Sequence, residues 1–140
     1  AWYAAQSGAT TAEQFFWSYE VAGEISRSFG PMLEDYYAFI CPPYVTHEIR
    51  ADQKPWERIM VNGHDLDSDY DINMQAPFNM LSRLPVLSVP AGIARNGLPG
   101  GVQVVARAYD DVRAFHVGKV IERALPWLDC PARRPMAAQA

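Results

Sequence analysis

Two short apolar runs separated by an Asn-Gly pair constrain most strongly what this chain can fold into. The first run covers residues 86–89 and ends at Pro90, and the second covers residues 101–106. Between them, Asn96 and Gly97 tolerate the positive φ angles that a tight turn between antiparallel strands requires. Short apolar runs bounded by prolines and glycines are typical of buried strands. The sequence therefore predicts a strand, a turn and a returning strand.

An amphipathic helix is predicted near the start of the chain. The capping-box spacing, at which two side chains satisfy free amide groups of the first helical turn, is met by Thr10 with Glu13 and by Thr11 with Gln14. Apolar residues then recur at helical intervals, at Ala12, Phe15, Tyr19, Ala22, Ile25 and Phe29. Gly30 and Pro31 favour the end of this helix. A short second helical segment is expected over residues 32–37.

The middle of the chain carries one strand signal and one long irregular stretch. The apolar run 38–41 is closed by Pro42, and because proline cannot continue a sheet ladder we predict a short strand buried on both faces. Periodicity is lost over residues 45–70, where polar residues dominate, so a long loop is expected. Residues 74–81 are expected to form a helix of about two turns.

A last helix is predicted after the hairpin. Asp110 can cap it, and Asp111 stands in its first turn, where a negative charge is favourable. The apolar stripe of this helix consists of Ala114, Val117, Gly118, Ile121, Ala124 and Leu125. Pro126 ends it, and the tail over residues 130–140 is expected to be loose. Strands and helices mixed in this order, with no linker between them, predict a layered α/β structure.

The composition of the chain argues against two classes of binding partner, nucleic acids and membranes. The chain has 12 Lys and Arg against 16 Asp and Glu, so its net charge is −4 and no nucleic-acid partner is expected. No apolar run approaches the roughly 18 residues of a membrane span, so no membrane partner is expected. Cys41 and Cys130 are too few for a disulfide framework and favour reduced thiols in the cytoplasm. No signal peptide is visible at the start of the chain. The first residue is Ala1 and not an initiating Met, which favours a piece of a longer protein.

The acidic and imidazole side chains match no metal-binding pattern. Aspartates alternate in one stretch, at Asp65, Asp67, Asp69 and Asp71. A calcium loop counted from Asp65 needs Gly in sixth and Glu in twelfth position, but Tyr70 and Ala76 stand there. The histidines have no ligand spacing to one another or to the cysteines, being His47, His64 and His116. We therefore predict a solvated acidic loop and no metal-binding residue.

The residues alone also predict no catalytic or cofactor-binding site. Glycines near Gly97 and Gly100 fit a turn, since no phosphate-binding loop pattern surrounds them. Lys54 and Lys119 are the only lysines, and neither lies near a glycine segment rich in serine, as serine-lysine catalysis would need. Cys41 lies in an apolar strand, where burial raises the pKa of a thiol and makes it inert. No cofactor is expected.

Two consecutive motifs resemble the C-terminal end of amidase signature enzymes. Residues 77–92 read PFNMLSRLPVLSVPAG, and residues 97–107 read GLPGGVQVVAR. In that family an Asn, a Pro before a strand similar to Leu-Ser-Val-Pro-x-Gly, and a turn similar to Gly-Leu-Pro-x-Gly-x-Gln recur in this order. The resemblance covers roughly residues 11–127, apart from the polar stretch in the middle.

The chain departs from the family pattern at four places. Tyr37 stands where the family usually has Asp before its strand, and Ser82 stands near a usual Gly. The interval from Asn79 to Pro85 is one residue longer than the commonest pattern. In the related transamidase subunits an Asp shortly before the Asn recognises the amino group of glutamine. Asp71 is displaced by one residue from that place, so this role is not transferred to it.

The resemblance implies a mixed β-sheet flanked by helices and the hydrolysis of a carboxamide. A Ser nucleophile, a bridging Ser and a neutral Lys carry out that reaction, which requires a lysine neutralised by burial and donors aimed at the oxyanion. The family carries these groups in a segment rich in glycine and serine, N-terminal to the motifs seen here. We therefore interpret residues 1–140 as the C-terminal fragment of a single amidase signature domain, inactive alone, whose partner is the missing N-terminal part.

Two alternatives stay open. The first is a non-catalytic interaction module, because Trp17 and Val21 lie outside the apolar stripe of the first helix and could form the contact of a homodimer. The second is the A-type subunit of a glutamine-dependent tRNA amidotransferase, which would need partner chains. The net negative charge of the chain gives no indication of a basic surface that would bind tRNA. The identity of the small amide substrate does not follow from this region, since it can form only one side of a pocket.

Overall fold

Three antiparallel strands and the helices around them organise the structure, a computed structural model that describes residues 8, 10–47 and 49–126. The helices are α1 (Ala12–Asp35), α2 (Ala76–Leu81) and α3 (Asp111–Ala124). The strands are β1 (Phe39–Cys41), β2 (Ile59–Val61), β3 (His64–Leu66), β4 (Val86–Ile93) and β5 (Pro99–Val105). β1, β5 and β4 lie side by side in that order, whereas β2 and β3 form a separate two-stranded sheet. This combination of elements confirms the predicted α/β class.

The hairpin of β4 and β5 forms most of the three-stranded sheet. Its turn lies where the sequence predicts it, with Gly97 at a φ of 84° and its amide donating to the Ala94 carbonyl over 2.9 Å. The prediction that Pro90 ends the first strand was wrong, because β4 continues to Ile93 with a register shift between Pro90 and Gly92. Within the described residues β4 is an edge strand. A proline is tolerated at an edge or a bulge, where its missing amide breaks no ladder bond.

A single continuous helix, α1, takes the place of the two helical segments that were predicted. Its start is as predicted, since Thr11 and Gln14 form both bonds of the capping box. The prediction that Gly30 and Pro31 end the helix was wrong, because it runs on to Asp35. Pro31 therefore lies inside the helix, where it lacks the amide of one ladder bond.

Packing on both sides of Pro31 explains why α1 continues. The ring of Phe29 lies 5.4 Å from that of Phe39 and 5.8 Å from that of Phe78, measured between centroids. Leu33, two residues beyond the proline, is 1% exposed. Burying a large apolar side chain contributes about 1.5–3 kcal/mol, whereas a proline inside a helix costs about 3 kcal/mol. Two such contacts offset that cost, so tertiary packing overrides the local stop signal.

β1 is buried on one face only, so the prediction of a strand buried on both faces was wrong. Cys41 is buried, whereas Ile40, one residue earlier, is 50% exposed. Side chains alternate between the two faces of a strand. The described residues therefore cover the face of β1 that carries Cys41 and leave the face of Ile40 open.

The stretch that was predicted as a long loop contains a small hairpin formed by β2 and β3. Asn62 and Gly63 make its turn with φ angles of 50° and 82°, the same dipeptide that joins β4 and β5. The guanidinium of Arg58 lies 3.2 Å from the carboxylate of Asp65 and 2.9 Å from that of Asp67. All three side chains are exposed, which agrees with the predicted solvated acidic segment.

α3 packs against the hairpin. Asp110 caps it as predicted, with its carboxylate accepting the Arg113 amide over 3.1 Å. Gly118 is buried against β4, and a Cβ atom there would overlap Leu87 Cδ2. The last two residues of the predicted apolar stripe are exposed, namely Ala124 and Leu125. The tail over residues 130–140 lies outside the described residues, and none of the helices described is long and apolar enough to cross a membrane.

Charged residues connect the start of α3 to the end of α1. Arg107 lies 3.1 Å from Asp110 and 3.2 Å from Glu34, and Arg113 lies 3.1 Å from Asp110. The Arg113 guanidinium also stacks over the Tyr37 ring, 4.6 Å from its centroid. Burial by itself raises the pKa of Asp110, but the Arg113 amide and the two guanidinium groups outweigh it and hold that pKa below its ordinary value.

Removing the contact beyond Pro31 should weaken the fold. Leu33→Ala is expected to lower the free energy of unfolding by about 2–4 kcal/mol, because it leaves a cavity at a fully buried position. Phe16→Ala, on the same helix but at a position 68% exposed, is expected to change it by less than about 0.5 kcal/mol. Urea unfolding followed by circular dichroism measures both. Equal losses in the two variants would contradict the packing described for α1.

Asp110 should stabilise the fold only while it is ionised. Because its pKa is lowered on folding, its contribution is complete above the ordinary carboxyl pKa of 3.8 and is lost as the pH falls through the lower folded-state value. Asp110→Asn keeps a capping side chain without the charge, so its Tm should fall less than that of the parent between about pH 6 and about pH 2. Glu24→Gln, which replaces an exposed carboxylate in the middle of α1, is the control and should follow the parent. Calorimetry that shows the same fall in Tm on acidification in Asp110→Asn as in the parent would refute this role.

Candidate functional site

A small recess between α2, β4 and β5 gathers polar side chains that are far apart in the sequence. Its lining consists of Gln75, Phe78, Asn79, Val86, Ser88 and Gln103. The cavity has a volume of about 210 Å³. Four of the six lining residues carry a neutral polar group and none carries a charge. The recess is therefore polar but electrically neutral.

The register of the sheet and the short helix α2 bring these side chains together. Ser88 on β4 lies directly opposite Gln103 on β5, so the two side chains point to the same face of the sheet. Gln75 caps the start of α2, and the Asn79 amide donates to the Gln75 carbonyl over 3.1 Å. Residues four apart on a helix are surface neighbours. The recess is thus formed by one face of α2 and one face of the hairpin.

Gln103 is held rigidly by two hydrogen bonds. Its Nε2 donates to the Pro42 carbonyl over 3.0 Å and to the Met74 carbonyl over 3.1 Å. The residue is 1% exposed, and its Oε1 accepts no hydrogen bond from any described residue. A buried acceptor without a donor costs about 1–3 kcal/mol.

The other polar side chains of the recess are also available for binding. Gln75, Asn79 and Ser88 form no side-chain hydrogen bond to another described residue. An amide side chain offers both donors and acceptors, and a hydroxyl does the same. None of these groups is a general base or an activated nucleophile. The recess can therefore bind and orient a neutral molecule, but it supplies no catalytic pair.

Cys41 lies beside Gln103 and is not a nucleophile candidate. The two residues are partners across the sheet between β1 and β5. Burial raises the pKa of the Cys41 thiol, and the neighbouring side-chain amide of Gln103, which stabilises the thiolate, acts in the opposite direction without cancelling the effect. A raised pKa leaves little thiolate at neutral pH. The burial of this thiol and its raised pKa agree with the predicted inert character, which stays a prediction, and Cys130 lies outside the described residues.

The histidines and aspartates considered for metal binding lie apart from the recess. His47 lies beside Gly100 at the hairpin end, and His116 Nδ1 is 3.4 Å from the Tyr37 hydroxyl. The Asp71 carboxylate accepts the Asp67 amide over 3.1 Å, so it is turned into its own loop. In the ranges that the structure describes, no three metal-ligating side chains cluster together.

A larger groove lies beside the second half of α1, with a volume of about 580 Å³. Apolar side chains contribute to its lining, among them Phe29, Leu33 and Leu81. Two of its charged residues, Glu34 and Arg107, pair with each other over 3.2 Å. A ligand site needs convergent polar groups that are free to bind. Asp35 and Arg83 also line the larger groove, but the residues of the two quoted motifs converge on the smaller recess, so we take the recess as the candidate site.

The recess was not predicted from the sequence, where we expected no catalytic, cofactor-binding or metal-binding residue. That expectation stays a prediction. Asn79, Ser88 and Gln103 belong to the two motifs quoted above, but their convergence depends on how the chain folds. One signal was present, since Gln103 is the only polar residue within the apolar run 101–106. A polar group in a buried strand must find partners, which would have identified this position.

Part of the chain is similar in sequence to curated A-type subunits of an amidotransferase. No protein-family model matches the chain. The A-type subunit of the glutamyl-tRNA(Gln) amidotransferase of Thermosynechococcus vestitus is 33% identical over 103 residues, which cover 74% of this chain and 20% of that protein. The corresponding subunit of Hyphomonas neptunium is 45% identical over 53 residues, covering 38% and 11%. The chain thus spans about a fifth or less of the length of these relatives.

Solved structures with a similar fold are also amidases or amidotransferase subunits. A bacterial aryl acylamidase of the amidase signature family superposes with a TM-score of 0.76 at 21% identity, covering 94% of this chain and 27% of that one. A crystal structure of an amidase gives 0.72 at 18% identity, covering 84% and 26%. The A-type subunit of the glutamyl-tRNA(Gln) amidotransferase from Thermotoga maritima gives 0.62 at 25% identity, covering 81% and 23%.

Proposed function

Because this chain belongs to the amidase signature family, we propose that it is the C-terminal part of an amidase. The intact enzyme hydrolyses the carbon-nitrogen bond of a small carboxamide to a carboxylate and ammonia or an amine. Residues 1–140 form the C-terminal fragment of a single amidase signature domain. The Ser-Ser-Lys triad lies on polypeptide N-terminal to it, so no residue of this chain is catalytic and no cofactor is needed.

The observation that carries this proposal is the convergence of the two motifs on one recess. Asn79 and Ser88 come from the first motif, and Gln103 comes from the second. These residues line a cavity without charged side chains, which suits an uncharged substrate better than an ionised one. In the intact enzyme this region supplies sheet strands and one wall of the substrate pocket.

Open surfaces of the sheet support the proposal that a further segment of the same protein packs against them. Within the described residues β4 pairs with β5 alone, so its other edge has unpaired backbone groups. An exposed edge of eight residues is a template for a further strand. Side chains of β1 and β4 are also about half exposed on the open surfaces, namely Ile40, Val86 and Ile93. We propose that the N-terminal part of the same protein covers these surfaces.

The second candidate function is that of the A-type subunit in an amidotransferase, and the curated relatives favour it by name. Two features of the chain weigh against it. Asp71, the nearest match to the family's glutamine-recognising Asp, is bonded within its own loop, and the net charge of −4 gives no basic surface for tRNA. Hydrolysis of glutamine in preference to simple carboxamides by the longer polypeptide would favour this candidate.

Two further expectations are retained as proposals. The cytoplasmic location rests on the small number of cysteines. The homodimer rests on Trp17, whose side chain is 64% exposed on α1. Sedimentation of the purified chain tests it, since a dimer formed through this residue should dissociate in Trp17→Glu. A monomer in both samples removes the homodimer from the proposal.

The purified 140-residue chain is expected to release no ammonia from small carboxamides, because the triad is not part of it. The polypeptide translated from the full reading frame, with the upstream region included, should release ammonia at least about 10³-fold faster than the 140-residue chain. Coupled detection of ammonia over a panel of carboxamides measures both. A parallel purification from cells without the expressed chain controls for contaminating amidases. Hydrolysis that rises in proportion to the concentration of the 140-residue chain would overturn the proposal.

A further inference from the structure

We propose that Asn62, at the turn between β2 and β3, is a modification site at which the side-chain amide is lost spontaneously and aspartate or isoaspartate is formed. Asn96, at the turn between β4 and β5, is protected from the same reaction. The two positions have the same local sequence, since each asparagine is followed by glycine and both pairs are exposed. Their hydrogen bonds and their sheets distinguish them. This inference is independent of the proposed function.

The reaction needs only the protein and water. The backbone nitrogen of Gly63 attacks Cγ of Asn62, and a five-membered cyclic imide forms. The bond between Cγ and Nδ2 breaks, and Nδ2 leaves as ammonia with the proton of the Gly63 amide. Water then adds to one of the two imide carbonyls. Opening at Cγ gives aspartate, whereas opening at the backbone carbonyl gives isoaspartate, whose main chain continues through Cγ.

Glycine after asparagine makes this attack possible. The attacking nitrogen belongs to the next residue, so the two groups are always close and no second molecule has to be brought in. Glycine has no Cβ atom to hinder the approach. At Gly63 the surroundings are open as well, because a Cβ built there would meet no atom within 4 Å. Asparagine is among the thermolabile residues of proteins for such reasons.

At Asn96 the reacting groups are held by hydrogen bonds. The Gly97 amide, whose nitrogen would attack, donates to the Ala94 carbonyl over 2.9 Å. The side-chain oxygen of Asn96 accepts the Leu98 amide over 3.1 Å, and its Nδ2 lies 3.5 Å from the His47 carbonyl. Cyclisation at this turn therefore requires that several hydrogen bonds are broken first.

At Asn62 no comparable restraint exists. In the part of the chain that the structure describes, neither the Asn62 side chain nor the Gly63 amide forms a hydrogen bond outside the ladder between β2 and β3. Both residues are exposed. The side-chain amide is therefore free to rotate toward the Gly63 nitrogen as soon as the backbone of the turn allows it.

The stability of each hairpin decides how often its turn opens. A tight turn fixes the backbone angles between the attacking nitrogen and Cγ, so cyclisation follows local opening. β2 and β3 have three residues each and pair only with each other among the described strands. β4 and β5 have eight and seven residues, and β5 also pairs with β1. Because an isolated two-stranded hairpin is marginally stable, the Asn62 turn opens more often.

The modification changes the hairpin chemically. Either product places a new negative charge at the turn, close in sequence to Asp65 and Asp67. Isoaspartate also adds a methylene group to the main chain between Val61 and His64, which are partners across the ladder. Pairing at that position requires a backbone of fixed length, so the end of the hairpin separates. The three-stranded sheet contains neither β2 nor β3 and keeps its register.

Peptide mapping by mass spectrometry tests the inference on the purified 140-residue chain incubated in mildly alkaline buffer. Asn62 should lose its amide at least about tenfold faster than Asn96, which corresponds to about 1.4 kcal/mol. In concentrated urea the difference should disappear, because the two pairs then differ in no structure. Equal rates in native buffer, faster loss at Asn96, or a difference that persists in urea would each overturn the inference.

Variants test whether opening of the hairpin controls the rate. Arg58→Ala removes the ion pairs of Arg58 with Asp65 and Asp67. It should accelerate the loss at Asn62 by about twofold, as expected for exposed ion pairs, and leave Asn96 unchanged. Arg50→Ala is the matched control, since it removes an exposed ion pair with Asp52 outside the hairpin. Equal rates at Asn62 in the two variants would contradict control by hairpin opening.

Discussion

The two hydrogen bonds donated by Gln103 are the interaction on which the rest of the structure depends. Through them the centre of β5 is joined to Pro42, directly after β1, and to Met74, directly before α2. Three segments that are distant in the sequence therefore meet at one buried amide. Hydrogen bonds in a buried environment are directional and costly to break. This amide specifies how the apolar elements are arranged, whereas apolar contacts alone would permit several arrangements.

The same amide links stability to the candidate site. Because its two hydrogens are used for the fold, its oxygen is left over at a place where α2 and β4 enclose a neutral recess. The charged residues of the chain are arranged differently, with Arg107, Arg113 and Asp110 paired at the junction of α1 and α3. Ion pairs thus connect α1 and α3, whereas neutral polar groups line the recess. None of the three residues of this ion-pair cluster lines the recess.

Signals that depend on neighbouring residues along the chain were interpreted correctly. The capping box at Thr11, the Asp110 cap and the turn at Gly97 all form as predicted, because each is satisfied within a few residues. The errors came from prolines, from one overlooked turn and from the burial of β1, whose Ile40 face the described residues leave open. Pro31 and Pro90 were predicted to end their elements, and both lie inside them, because contacts with distant residues or the place at a sheet edge compensate for the missing amide.

The sequence by itself determined the α/β class, the hairpin and the family, since each is encoded in local patterns and ordered motifs. Only the tertiary structure decided that Asn79, Ser88 and Gln103 share one cavity and that an acceptor there has no donor among the described residues. The physical reason is that hydrogen-bond satisfaction is a property of three-dimensional neighbours. A linear sequence states which groups can donate and accept, but the fold decides which of them meet and which are left for another molecule.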